Sequence, residues 1–92
     1  MKILYFSWIK DKIGKTHEDI DIRDNIKTIE DLITFLKKSN ESYEEVFKDT
    51  SSIKVSINME TADFKDQINN NDEVAFFPPM TGGSEIKGQE NN

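Results

Sequence analysis

Side chains able to do chemistry are few in this chain, and their spacing excludes most of what they could do. There is no cysteine and a single histidine, so neither a thiolate nucleophile nor a zinc-ligating set of nitrogen and sulfur donors can be assembled. His17 stands beside Glu18 and Asp19 at the edge of a predicted strand, where it reads as a solvated side chain without a role, and no glycine-flanked elbow surrounds any serine to pair with it. The acidic pairs Glu18-Asp19 and Glu44-Glu45 lack the loop spacing of a calcium site and read as solvated faces, so no metal site is expected. No glycine loop is built to cradle phosphates, which excludes nucleotide hydrolysis by the chain itself. One run stands out: Asn71-Asp72-Glu73-Val74-Ala75-Phe76-Phe77-Pro78-Pro79-Met80-Thr81-Gly82-Gly83. By composition alone it reads as a core strand, a proline stop and a glycine linker.

The elements that must position this run follow from periodicity. Ile3, Leu4, Tyr5, Phe6, Trp8 and Ile9 form a nearly continuous β-favouring stretch, which predicts a strand over residues 2–9 buried on both faces. After a polar turn around Gly14, residues 17–22 alternate and predict a half-buried strand. Ile29, Leu32, Ile33 and Leu36 lie on one helical stripe, with Thr28 and Asp31 spaced as a capping box and Lys37 and Lys38 opposing the negative end of the dipole; a helix is predicted over residues 28–38. Tyr43, Val46 and Phe47 suggest a short amphipathic turn, and Ile53, Val55 and Ile57 alternate as a third strand. Residues 59–67 are ambiguous, with Phe64 and Ile68 as core anchors; residues 69–72 form a turn and residues 73–77 a last strand, apolar on both faces.

A helix inserted between strand pairs predicts an α+β domain of the ubiquitin-like β-grasp type. Its mixed sheet has four to five strands, one main helix packs across it, and the first and last strands lie side by side at its centre. With 92 residues, 35% hydrophobic and 33% charged, there is one core and no second domain. The expected division is residues 1–81 as the domain and 82–92 as a flexible tail. The net charge of −6 disfavours nucleic acid and anionic membranes. No apolar run is long enough to span a bilayer and no signal peptide opens the chain, so a cytoplasmic location is expected.

The run from Asn71 to Gly83 resembles the C-terminal segment of the molybdopterin synthase small subunit family, the ubiquitin-like sulfur carriers of molybdenum-cofactor biosynthesis, in which a Gly-Asp-Glu-Val turn and strand leads to Phe-Pro-Pro and a terminal Gly-Gly. The resemblance extends more weakly over residues 1–83: Lys10-Asp11 and Gly14 stand where that family has Arg-Glu followed by Gly, and the strand containing Val55 ends at Asn58 as its Val-Asn strand does. Asn71 replaces the turn glycine, an exchange that left-handed backbone tolerates.

The resemblance implies a non-catalytic, sulfur-donating subunit with no bound cofactor. Gly83 is then the residue adenylated with ATP and Mg by a ubiquitin-activating-like adenylyltransferase and converted to a thiocarboxylate, which donates sulfur to the cyclic pyranopterin monophosphate precursor. Gly82 and Gly83, lacking Cβ atoms, fit a narrow channel, and Pro78 and Pro79 stiffen the root of the arm. Phe6, Phe77, Pro78, Pro79, Met80, Thr81 and Gly82 are implied as the contact with the activating enzyme and with the synthase large subunit, with which the family forms a heterotetramer. This chain departs from the pattern in continuing for nine residues, Ser84 to Asn92, beyond Gly83. Either residues 84–92 are removed, or this is a β-grasp binding module with a blocked tail; sulfur carriers for thiamine, cysteine or tRNA thiolation also end in Gly-Gly.

Overall fold

The computed structural model describes residues 1–79; Met80, Thr81, Gly82, Gly83 and residues 84–92 lie outside the described residues. The elements run β1 (Lys2–Tyr5), α1 (Ser7–Ile13), β2 (His17–Asp19), α2 (Ile29–Ser39), α3 (Glu41–Phe47), a 3-10 turn (Thr50–Ser52), β3 (Lys54–Ile57), β4 (Glu60–Ala62) and β5 (Glu73–Phe77). The five strands form one sheet in the order β2-β1-β5-β3-β4. β5 is its central strand, parallel to β1 in the register Leu4↔Ala75 and antiparallel to β3 in the register Ser56↔Ala75. This is the expected α+β, β-grasp arrangement.

The helix over residues 28–38 forms as its spacing predicts. The Thr28 hydroxyl accepts from the Asp31 amide (3.1 Å) and Asp31 Oδ2 accepts from the Thr28 amide (3.2 Å), closing the capping box. The next free donors, the amides of Ile29 and Glu30, reach the carbonyls of Asp66 (3.1 Å) and Phe64 (2.8 Å), so the loop after β4 finishes the cap. Ile29, Leu32, Ile33 and Leu36 are buried in one cluster with Ile3, Tyr5, Val55, Val74 and Phe76 from the sheet. The short amphipathic turn is α3, which buries Tyr43, Val46 and Phe47.

The first strand is shorter than the sequence predicts. It stops at Tyr5, and Phe6 is the N-cap of α1, so Trp8 and Ile9 are helical and not part of a strand over residues 2–9. Strand propensity loses here to chain reversal: Ser7 takes a left-handed φ of 59°. Ile9 can then turn fully into the core, and Gly14 at φ 88° ends the helix by donating to the Lys10 carbonyl at 2.8 Å. Nor is β1 buried on both faces, because Lys2 is exposed and Leu4 half-buried. β2 is confined to His17–Asp19, with Ile20 and Ile22 packing against the core beyond it. The turn before β5 is closed by Asp72 donating to the Asn69 carbonyl (3.0 Å) and by Asn69 Oδ1 accepting from the Asn71 amide (2.9 Å). Asn71 is not among the residues of positive φ, so the left-handed exchange is not used there.

Candidate functional site

β5 alternates across the sheet: Val74 and Phe76 point into the core, and Glu73, Ala75 and Phe77 point to the face without a helix. Register carries this outer row onto the neighbouring strands, where Leu4 of β1 and Ser56 of β3 flank Ala75. Together they line an apolar groove of about 520 Å³. At the C-terminal end of β5 it is bounded by Phe6, Ser7, Phe77 and Pro78, and beside Glu73 by Met59. Phe6 is 47% exposed, although its amide donates to the Phe76 carbonyl at 3.2 Å and holds the α1 start against β5.

Among the site residues expected from the sequence, the structure therefore brings Phe6, Phe77 and Pro78 together around one cavity, with Pro79 half-buried immediately beyond. It is Phe76, not Phe77 or Phe6, that fills the core, stacked 6.2 Å from Tyr5 and edge-on to Phe47 at 5.0 Å. Met80, Thr81, Gly82 and Gly83 fall outside the described residues. The groove thus ends at Pro78, next to the last described residue. Leu4, Ala75 and Met59 are members that sequence reasoning missed. The period-2 pattern of β5 was the available signal for Ala75; Met59 had none, lying in the ambiguous stretch.

A second, polar cluster sits on the core face of β2. Glu18 pairs with Ile3 in the sheet and so points inward. Its Oε2 accepts from the Tyr5 and Tyr43 hydroxyls, each at 2.5 Å, and its Oε1 from Lys15 Nζ at 3.1 Å. Burial pushes the Glu18 carboxyl up, but the hydrogen bonds from Tyr43, Tyr5 and Lys15 outweigh it and hold the group below the usual glutamate range. Burial first, then the Glu18 carboxylate, raises the Tyr5 phenol far above its ordinary value. Glu18 is consequently a half-buried structural anion and not part of a solvated face, while His17 and Asp19 on either side are exposed. Among the described residues, no three His, Cys, Asp or Glu side chains converge to hold a metal ion, and no helix is long and apolar enough to cross a membrane.

The chain is similar to known proteins over most of its length. The sulfur carrier subunit of molybdopterin synthase from Dictyostelium discoideum is 34% identical over 84 residues, covering 89% of this chain and 94% of that protein. Its counterpart from Haemophilus influenzae is 28% identical over 83 residues, covering 90% and 99%. Among solved structures, SAMP1 from Haloferax volcanii superposes with a TM-score of 0.71 at 28% identity, covering 90% of this chain and 98% of that one. The match to the ThiS family runs over residues 3–83, from the first core strand to the second glycine of the Gly-Gly pair, and the chain belongs to that family.

Proposed function

We propose that this chain is the sulfur carrier subunit of a molybdopterin synthase, activated at Gly83 after removal of residues 84–92. The observation that carries the reading is the junction of arm and groove. The central strand runs directly into Pro78 and Pro79 beside an apolar patch of Phe6 and Phe77, with two residues between the prolines and the Gly-Gly pair at which the family match ends. A partner holding the arm has this patch against it, and the prolines restrict the arm's unbound conformations, lowering the entropy lost on docking.

In the proposed cycle the Gly83 carboxylate attacks the α-phosphorus of ATP, with Mg bound by a ubiquitin-activating-like enzyme, and pyrophosphate leaves. A persulfide-class sulfur donor then displaces AMP from the acyl adenylate, and the donor's S–S bond is cleaved by a thiol reductant to leave the thiocarboxylate. In the synthase, the arm presents that sulfur to the cyclic pyranopterin monophosphate precursor, and the large subunit supplies the catalytic side chains. This chain contributes the acyl group and the docking face.

The first step needs a free carboxylate on Gly83, whereas in the full sequence Gly83 is an internal amide. Protein ending at Gly83 is expected to be thiocarboxylated by the cognate activating enzyme, and full-length protein is not. Intact-protein mass spectrometry reads this as the mass gain of an oxygen-to-sulfur exchange. If native protein retains Asn92 and the Gly83-terminated form is inert, the carrier reading fails and a binding module with a blocked tail replaces it.

A further inference from the structure

Three non-glycine residues among those described have positive φ: Ser7 (59°), Asn58 (52°) and Met59 (73°). Ser7 lines one end of the groove and Met59 the other. Asn58 and Met59 are the two central residues of the β3–β4 hairpin, since Ile57 pairs directly with Glu60. Two-residue hairpins with positive φ at both positions favour Asn followed by Gly. Asn58 obeys that preference and Met59 violates it. Met59 is in addition 90% exposed, so the free protein gains nothing from burying its side chain. A strained backbone carrying an unburied apolar side chain is a feature that folding alone does not account for.

The turn is also braced. The Asn58 amide donates to the Glu73 carbonyl (2.7 Å), Asn58 Oδ1 accepts from the Glu73 amide (3.0 Å) and Asn58 Nδ2 donates to Asp72 Oδ1 (2.9 Å). Met59 is thereby fixed relative to the start of β5, whose far end carries Phe77 and the arm. Six residues from Glu73 to Pro78 span about 17 Å of strand, so Met59 and Phe77 mark the two ends of one apolar track.

We infer that Met59 is a specificity-determining contact for the synthase large subunit, seated in an apolar recess of that partner at the end of the groove opposite the arm. The inference rests on the carrier reading above. The occupant follows from continuity: Phe77 and Pro78 line the same groove as Met59, so the partner that holds the arm lies across it. An unbranched thioether side chain suits such a contact because it conforms to irregular recesses.

The test measures affinity for the purified large subunit by calorimetry, with thermal unfolding of each variant alone. Met59→Gly suits the positive φ, so its Tm is expected to equal or exceed that of the parent while its affinity falls by about tenfold. Met59→Leu restores an apolar side chain and is expected to recover most of the binding. Phe77→Asp separates the two readings. If it abolishes binding while Met59→Gly binds like the parent, the role of Met59 is overturned and the docking face stands. If neither variant weakens binding, the docking face itself fails and takes the inference with it. A lowered Tm in Met59→Gly matched by equal loss of binding in Met59→Leu, or a parent self-association that Met59→Gly dissolves, also overturns it.

Discussion

Glu18 shows how much one side chain decides when its surroundings are apolar. It holds β2, β1 and α3 through Lys15, Tyr5 and Tyr43, and its side chain is only 17% exposed. Its carboxyl is held below the usual range, so the stability it contributes is present above the unfolded glutamate pKa, about 4.3, and is lost as pH falls through the lower folded value. Glu18→Gln is expected to cost about 1–3 kcal/mol at pH 7. The difference from the parent should shrink as the acid limb is descended. Urea unfolding across a pH series checks this, and a constant difference from pH 7 down to about 3 would count against the anionic role. Read as part of a solvated face, Glu18 in fact points inward, as period 2 puts it on the same face as Ile20 and Ile22. The partners were not legible, because Tyr5 and Tyr43 lie 13 and 25 residues away and only the fold brings them in.

At the scale of elements, legibility followed the number of independent local signals. α2 carries an apolar stripe, a capping box and C-terminal lysines, and all three agree with the helix observed. Leu32, fully buried on that stripe, is expected to cost about 2–5 kcal/mol when truncated to alanine. Chemical denaturation measures it, and a loss under about 1 kcal/mol would mean that α2 does not seal the core. α1 is the opposite case. Tyr5, Phe6, Trp8 and Ile9 all favour strands, and what turns Trp8 and Ile9 into helix is the reversal at Ser7 and the stop at Gly14. Gly14 was visible only as a polar turn after a strand, not as the end of a helix. The left-handed serine was not visible, since nothing in its type demands that conformation.

The whole molecule divides its apolar material between two faces of one sheet, one sealed by α2 and α3 and the other holding the groove. Stability and binding should therefore separate. Phe77→Asp is expected to leave Tm within a few degrees of the parent, because Phe76 and not Phe77 fills the core. The same change should weaken large-subunit binding by about 30-fold or more, as loss of a central aromatic anchor does. Calorimetry on both counts decides it; unfolding of the variant would place Phe77 in the core's support. The Phe-Pro-Pro and Gly-Gly run pointed to the arm end of this face, but Leu4, Ala75 and Met59 were gathered only by register. That register has a mechanical consequence as well. β5 is bonded along its length to β1 on one side and β3 on the other. A pull on the arm along the strand loads both ladders in shear, rung against rung, instead of unzipping them one bond at a time. A force applied at the C-terminal end of β5 is therefore expected to meet the resistance of both ladders together, so that the sheet holds where a hairpin at its edge would peel.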